Sequence, residues 1–398
     1  MNVAVDFRNV DIIFGARTRE ALKMLDAGAS RAEILAKTGA VLGCADASLT
    51  VREGEISVLM GLSGSGKSTM MRAVNGLNKV TRGSVLVKSG DRMVDVVTCD
   101  AATLRHVRQG SVAMVFQQFG LLPWRTVAEN VGFGLELAGV PEAERTRRVA
   151  QQLKLVGLDQ WANKYANELS GGMQQRVGLA RAFATEAPIL LMDEPFSALD
   201  PLIRTKLQDE LLQLQKELKK TIIFVSHDLE EALKIGNTIT ILESGRIVQS
   251  GRPEDIVLRP ADDYVREFIA NVNPLSVLTA WHVMCDARDL DKTEDGWVWL
   301  DKRRTTRFKL DADRQVIAAE RDGVPGAWVH CAEAEAPPRP GERPCYWASP
   351  GTSLKTVMLA MHNADTAPVA LFDEENRFVG SIGVKDVLQA VLRRQEPA

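Results

Sequence analysis

Residues 61–69 are Gly61-Leu62-Ser63-Gly64-Ser65-Gly66-Lys67-Ser68-Thr69, and they follow an apolar run at 55–60 that predicts a β-strand. This order of strand, glycine-rich loop and helix matches the pattern G-x-x-x-x-G-K-[ST]. The glycines let backbone N–H groups approach phosphate oxygens, and a helix beginning near Lys67 adds its positive dipole end. We expect Lys67 to contact the β- and γ-phosphates and the Ser68 hydroxyl to ligate Mg²⁺. The loop predicts a nucleotide-binding P-loop domain, a class that includes kinases and GTPases.

A second anion-binding helix start is predicted at residues 169–176, which are Leu169-Ser170-Gly171-Gly172-Met173-Gln174-Gln175-Arg176. A serine followed by two glycines offers a hydroxyl and unobstructed backbone amides to an anion. One polypeptide seldom needs two phosphate-binding loops for one nucleotide. We therefore expect this motif to serve the γ-phosphate held by a second subunit. A capped helix without a ligand is the alternative.

Two acidic residues follow a predicted buried strand at 189–192. In α/β sheets, ligands bind at the carboxyl ends of the strands, where Asp193 and Glu194 stand. We expect Asp193 to hold Mg²⁺ through water, and Glu194 to polarise or orient the attacking water. Another apolar run at 221–225 predicts a neighbouring strand, and the alternation of strands with helices indicates a parallel α/β sheet.

Length and composition limit the class of protein. A chain of 398 residues with 45% hydrophobic residues and a net charge of −3 suits two or three globular domains. The near-neutral charge gives no argument for nucleic acid as a partner. No apolar run reaches the roughly 20 residues that span a bilayer, and we expect no signal peptide. The five scattered cysteines favour a reducing, cytoplasmic setting. Any membrane contact is expected to be peripheral, through a partner.

With these motifs, residues 3–275 resemble the ABC transporter ATPases. The resemblance implies ATP and Mg²⁺ as ligands and a dimer in which Ser170, Gly171, Gly172 and Gln174 act across the interface. It also implies roles for residues outside the three motifs: Gln117 contacting Mg²⁺ and the water (with Gln118 as the alternative by register), His227 contacting the γ-phosphate, Ser197 and Asp200 in the D-loop, and Phe14 stacking on adenine. For Phe14, a place in the hydrophobic core is the alternative.

Within this superfamily the chain is similar to the ATPase subunits of bacterial quaternary-amine importers. The similar features are a helical insertion at about 18–40, MGLSG at 60–64, FSALDPLIR at 196–204 and ADDYV at 261–265. Residues 119–127, FGLLPWRTV, are most similar to the choline importers because of Trp124.

This resemblance implies import of choline or glycine betaine by a homodimer at the cytoplasmic face of the inner membrane. The implied partners are an integral-membrane permease and, indirectly, a periplasmic or lipid-tethered binding protein, with no nucleic acid. The alternatives are a soluble, non-transport ABC ATPase and an importer ATPase for another osmolyte or amino acid. The single P-loop argues against translation factors, which carry two ATPase cassettes per chain.

The pattern changes near residues 271–274, so we predict an ATPase domain at 1–275, with a helical subdomain at about 120–185, and a second domain at 276–398. Residues 367–388 resemble one half of a CBS pair: strand, acidic turn, strand and helix. We expect a degenerate CBS-like α+β regulatory domain, with its first half around 297–300. Gly383 stands where adenosine-binding versions have Ser or Thr, which argues against nucleotide binding there. The basic run at 302–309 predicts either a solvated strand or turn or a surface for anionic headgroups.

Overall fold

The computed structural model describes residues 2–312, 314–333 and 341–392. The chain divides into two compact units: the first comprises Met1–Ile256 and Pro260–Ile269, and the second comprises Val257–Arg259 and Ala270–Ala398. The break after Ile269 lies near the predicted domain boundary at residue 275, which stays a prediction. The proline-rich run at 336–340 lies outside the described residues.

The first unit contains a six-stranded sheet in the order β10-β9-β3-β8-β7-β6 and a four-stranded sheet in the order β2-β1-β4-β5. The ten strands are β1 Val3–Phe14, β2 Val41–Arg52, β3 Ile56–Met60, β4 Arg82–Ser89, β5 Arg92–Asp95, β6 Val112–Val115, β7 Ile189–Asp193, β8 Thr221–Val225, β9 Thr238–Glu243 and β10 Arg246–Gly251.

The larger sheet is parallel except for the edge pair β9–β10, and the smaller sheet is antiparallel. Every residue of β3, β7 and β8 is buried, which explains why these strands are continuous apolar runs. Because neighbouring parallel strands end at the same edge of the sheet, the loops after β3, β6, β7 and β8 converge there.

The helices before residue 270 include a separate small bundle. They are α1 Thr18–Asp26, α2 Arg31–Thr38, α3 Lys67–Met71, α4 Ala101–His106, α5 Val127–Leu137, α6 Glu142–Leu155, α7 Gly171–Ala184, α8 Pro201–Leu218, α9 Leu229–Ile235, α10 Pro253–Leu258 and α11 Asp263–Phe268. Helices α1 and α2 form the insertion expected at about 18–40, and α2 carries a capping box between Ser30 and Glu33. Helices α5, α6 and α7 bury a core of their own in the region of the predicted helical subdomain.

The second unit is built on an eight-stranded sheet in the order β11-β18-β17-β16-β15-β14-β13-β12. Its elements are β11 Cys285–Asp286, β12 Trp297–Trp299, β13 Thr306–Leu310, β14 Val316–Arg321, β15 Val324–His330, β16 Arg343–Ala348, α12 Leu354–Asn363, β17 Val369–Phe372, β18 Phe378–Ile382 and α13 Val384–Leu392. The strand, turn, strand and helix expected at 367–388 correspond to β17, β18 and α13, and they are preceded by β16 and α12, which were not predicted.

The first half of the expected CBS pair differs from the prediction. Strands β12 to β15 form an antiparallel meander, and the described residues of 270–333 contain 3-10 turns but no α-helix. The expectation of a pair was therefore wrong: the unit contains one CBS-like module beside a meander. The meander is held by an aromatic cluster in which Phe308, fully buried, lies 4.9 Å from the ring of Phe378 and 5.5 Å from that of Trp328.

The basic run at 302–309 is partly neutralised in the structure. Arg307 donates to Glu320 at 2.6 Å and lies over the rings of Trp297 and Trp299, at 4.3 and 5.0 Å from their centroids. Arg304 pairs with Asp291 at 3.2 Å. These contacts favour the solvated strand or turn over a surface that attracts anionic headgroups.

The described part of the chain contains no helix that is both long and apolar enough to cross a bilayer.

Candidate functional site

The glycine-rich loop between β3 and α3 has a backbone that only glycine accommodates at two positions. Gly61 has φ +141°, and a Cβ there would collide with the carbonyl oxygen of Leu242; at Gly66, with φ +105°, it would collide with that of Gly43. At Gly64, with φ +78°, a Cβ would meet no atom within 4 Å. The loop therefore packs tightly against the backbone of Leu242 and Gly43 at Gly61 and Gly66, and it has open space beside Gly64.

Two buried polar side chains in and directly after this loop, Ser65 and Lys67, fit a phosphate group. Lys67 is 6% exposed, and its ammonium donates to the carbonyl oxygens of Gly61 at 2.9 Å and Leu62 at 3.0 Å. Burial lowers the pKa of Lys67, and the negative charges of Glu194 and Asp193 oppose that shift. The Ser65 hydroxyl is buried without a hydrogen-bond partner in the described residues. An anion in the loop would satisfy both groups.

Asp193 ends β7 with its side chain fully buried and pointing to α3. Its Oδ1 accepts from the Ser68 hydroxyl at 2.6 Å, and its Oδ2 accepts from the Arg72 guanidinium at 2.7 Å. A hydroxyl and a carboxylate that meet beside a phosphate loop are the oxygen donors that Mg²⁺ prefers. The predicted metal residues Ser68 and Asp193 are thus brought together. The third, Gln117, is hydrogen-bonded to the carboxylate of Glu194.

Glu194 is the meeting point of three loops. One carboxylate oxygen, Oε2, accepts from the amide of Gln117 at 3.1 Å and lies 3.2 Å from Nδ1 of His227. These three residues come from the ends of β7, β6 and β8, so the structure joins the three predicted catalytic residues. It also favours Gln117 over Gln118, for which the structure shows no such contact.

The backbone of Glu194 is in the left-handed region, with φ +48°. A non-glycine residue in this region is uncommon, and such backbone strain clusters at functional sites. The turn is fixed by hydrogen bonds: the N–H of Glu194 donates to the carbonyl of Val225 at 3.1 Å, and its own carbonyl accepts from the hydroxyl of Ser197 at 3.0 Å. This reversal sends the carboxylates of Asp193 and Glu194 to different partners.

The residues predicted to act across the dimer interface lie at the beginning of α7. Ser170 is the N-cap of this helix, accepting from the N–H of Met173, and both it and Gly171 are exposed. Gly172 lies close to the loop after β7, since a Cβ there would be 3.3 Å from the carbonyl oxygen of Ala198. The side chain of Gln174 donates to the carbonyl of Leu169 at 3.1 Å. Ser170 and Gly171 are therefore open to a ligand from outside the chain.

Gln175 is a site residue that the sequence analysis missed. Its side chain is buried, donates to the backbone carbonyl of Glu194 at 3.1 Å and accepts from the N–H of Ala198 at 3.1 Å. The signal was present in the sequence. Gln175 lies in phase with the buried positions Leu179 and Ala182 of the same helix, and a polar residue on an apolar face needs hydrogen-bond partners.

The remaining predicted residues lie at the edges of the site. Phe14 ends β1 and is 40% exposed, so the core alternative was wrong. A Cβ on Gly43 would approach both the Phe14 ring and the methyl group of Thr69, which places Phe14 beside α3. Asp200 is the N-cap of α8, accepting from the N–H of Ile203 at 3.0 Å.

A cleft of about 380 Å³ adjoins the turn that carries Gln117. It is lined by residues of β6 and the following turn and by residues of α5 and α7, among them Phe116, Leu122 and Phe133. The guanidinium of Arg181 holds the turn by donating to the carbonyls of Gly120 at 2.7 Å and Phe119 at 2.9 Å. The cleft thus lies between the sheet and the helical bundle, next to the turn that carries Gln117.

Comparisons with known proteins agree with this geometry. Residues 44–197 match the family model for ABC transporters, and residues 342–393 match that for CBS domains. Over 402 aligned residues the chain is 42% identical to the glycine betaine/proline betaine transport system ATP-binding protein ProV of Salmonella typhimurium, covering 99% of this chain and 98% of the relative. The chain belongs to this family of ABC transporter ATPases. The predicted family and fold are confirmed, and the chain is an ABC-type, ATP-binding ATPase.

Two further similarities refine this result. The choline transport ATP-binding protein OpuBA of Bacillus subtilis is 43% identical over 222 residues, covering 56% of each chain. The comparisons therefore support the quaternary-amine family without singling out choline. Among solved structures, the cassette MJ0796, described as a dimeric bacterial ABC transporter cassette, has a TM-score of 0.54 and 31% identity and covers 63% of this chain and 98% of its own. The single CBS match agrees with the one CBS-like module in the second unit.

Proposed function

We propose that this ATPase works as a homodimer that hydrolyses ATP to drive import of a quaternary amine through a separate permease. The observation that carries the catalytic part is the convergence of Gln117 and His227 on one oxygen of Glu194, beside a loop that fits phosphate. All three side chains come from strand ends at the ligand-binding edge of the sheet.

Glu194 is proposed to orient the attacking water. Since Gln117 and His227 both contact Oε2, and the described residues provide no hydrogen bond to Oε1, that second oxygen is available to accept a proton from water. Two contacts to one oxygen restrain the carboxylate plane, so that water held by the other oxygen is in a defined position. The His227 side chain is 63% exposed and is proposed to contact the γ-phosphate.

Lys67 and the loop amides are proposed to bind the β- and γ-phosphates, and Phe14 to stack on adenine. Ser68, Asp193 and Gln117 are proposed to hold Mg²⁺, which when bound neutralises charge on the phosphate oxygens. In this arrangement Arg72 holds the carboxylate of Asp193 in place through its second oxygen. The exposed Ser170 and Gly171 are proposed to contact the nucleotide of the partner subunit.

The membrane partner is proposed to bind at the cleft between β6, α5 and α7. A groove with aromatic and aliphatic walls suits a short amphipathic helix of a permease. Because Arg181 links α7 to the turn that follows Phe116, movement of a helix in this cleft would be transmitted to Gln117. We place the chain peripherally at the cytoplasmic face of the membrane on this basis.

Glycine betaine or choline is proposed as the transported substrate, with a periplasmic or lipid-tethered binding protein as the indirect partner. Support comes from the names of the relatives, which are transport proteins for betaines and for choline. Another osmolyte is the second candidate.

The test is Glu194→Gln, which keeps the shape of the side chain and removes its negative charge. We expect ATP turnover to fall by a factor of about 100 or more, since positioned acid–base groups contribute typically 10²–10⁴-fold. ATP binding should remain, and size-exclusion chromatography with ATP and Mg²⁺ should show a trapped dimer.

Glu217→Gln is the matched control, because Glu217 is an exposed glutamate in the last turn of α8. It should hydrolyse ATP at the wild-type rate. Wild-type turnover by the Glu194 variant would exclude the proposed role.

A further inference from the structure

The insertion formed by α1 and α2 is a rigid part of the first unit. Ile34 of α2 and Leu25 of α1 are buried in a small core with residues of β1 and β2. On one side the insertion is anchored by Asp26, whose carboxylate pairs with Arg82 at 2.8 Å, and Arg82 also pairs with the fully buried Asp11 at 2.5 Å. An element fixed in this way holds its exposed side chains in defined places.

On its other side the insertion contacts the phosphate loop. Arg31, in the first turn of α2, donates from Nη1 to the carbonyl oxygen of Gly64 at 2.6 Å. Gly64 is the position at which the loop is open. The insertion therefore places a guanidinium at the open part of the loop.

The positive charge of Arg31 has no carboxylate partner within 4.0 Å in residues 2–312, 314–333 and 341–392. The one acidic residue of the same helical turn, Glu33, is occupied: it accepts from the N–H of Ser30 at 2.7 Å and from the Ser30 hydroxyl at 2.8 Å. A guanidinium has five N–H donors, and the contact with Gly64 uses one of them. Arg31 is thus an uncompensated cation with free donors at the edge of an anion-binding loop.

From this placement we propose that Arg31 supplies a positive charge to the triphosphate site, so that the insertion is part of the nucleotide-binding site. The inference rests on the proposed binding of ATP at the loop. An arginine suits this task because its planar fork recognises phosphate oxygens and because it stays charged at every physiological pH. Its effect is on nucleotide affinity, since Arg31 contacts none of the residues around Glu194.

The experiment compares Arg31→Met with Arg31→Lys in the full-length protein. The methionine variant keeps much of the length of the side chain and loses the charge, whereas the lysine variant keeps the charge. We expect Arg31→Met to raise the KM for ATP about fivefold at low salt with kcat within twofold of wild type. That size is appropriate for one partly exposed, charge-assisted contact. Arg31→Lys should recover most of the affinity.

Salt separates an electrostatic role from a purely structural one. A surface charge is screened by ions. The ratio of the KM of Arg31→Met to that of the wild type should therefore shrink toward one as ionic strength rises from about 0.01 M to 1 M. Lys37→Met is the matched control: Lys37 is an exposed cation in the last turn of the same helix. It should leave the KM unchanged.

Three results would overturn the inference: an unchanged KM in Arg31→Met, an equal defect in Arg31→Met and Arg31→Lys, or a ratio independent of salt. Thermal melting of each variant checks that the insertion still folds. The proposed function itself fails in a different way, namely if the wild-type protein neither binds nor hydrolyses ATP.

Discussion

Replacing Gln175 by methionine should damage catalysis without touching any residue that contacts the nucleotide. Methionine has a similar length and flexibility and makes no strong hydrogen bond. The change removes the donor to the carbonyl of Glu194 and the acceptor for the N–H of Ala198. Both backbone groups would then lack a partner that the buried Gln175 side chain now supplies.

The size of the effect follows from those two hydrogen bonds. Each contributes about 1 kcal/mol net to stability, so we expect a loss of about 2 kcal/mol. For a unit of this size, 1 kcal/mol shifts the melting temperature by about 2–4 °C, which predicts a decrease of about 4–8 °C. Turnover should fall more, by about 10- to 100-fold, because the left-handed backbone that aims Glu194 loses a fixed contact.

Differential scanning calorimetry and steady-state ATPase kinetics measure the two effects. The KM for ATP should change little, since Lys67 and Ser68 keep their contacts. Gln151→Met is the control: Gln151 is an exposed glutamine on α6. If the Gln175 variant had the melting temperature and kcat of the wild type, the bridge between α7 and the loop after β7 would have no role in positioning Glu194.

Two further predictions concern cysteine chemistry. Single cysteines placed at exposed positions of 121–139 should cross-link to cytoplasmic loops of the permease, and cross-links formed only from the second unit would contradict the proposed groove. The second prediction concerns the native cysteines. Burial raises the pKa of Cys44 to about 12 and that of Cys345 to about 11, so neither should react with iodoacetamide at pH 8.5. The partly exposed Cys99 and Cys285 should react first. Mass spectrometry of the alkylated peptides measures this order, and earlier reaction of Cys44 or Cys345 would contradict control of reactivity by burial.

The site residues that could be predicted are those whose chemistry is carried by a short local pattern. The phosphate loop, the pair Asp193-Glu194 and the beginning of α7 are each continuous in sequence, so their element type and position follow from spacing. Choosing between Gln117 and Gln118 required the geometry, because neighbouring residues in a turn point in different directions. Gln175 was missed for another reason: its two partners are backbone groups about 20 residues away, and no sequence pattern names them.

The second unit shows where pattern recognition stops. The segment from β17 to α13 was predicted from its resemblance to a CBS half, whereas β16 and α12 were not. The meander before it has short strands whose partners depend on register, such as Arg307 against Trp299 across β12 and β13. Whether a basic run such as 302–309 attracts anions depends on the partners of its residues. Glu320, the partner of Arg307, lies 13 residues after it in the chain. Cross-strand contacts of this kind are set by tertiary packing.

The reversal of the chain at Glu194 also has a genetic consequence. Asp193 is hydrogen-bonded to Ser68 and Arg72, whereas the Glu194 carboxylate contacts Gln117 and His227, so the side-chain contacts of the two acids share no residue. On the roles proposed for these acids, a mutation of Glu194 can therefore abolish turnover while the contacts of Asp193 remain. In a cell with both alleles, subunits with Glu194→Gln would still enter mixed dimers and hold them closed, so this allele would be dominant over the wild type. Subunits that cannot capture nucleotide would not close such dimers, and their alleles would be recessive.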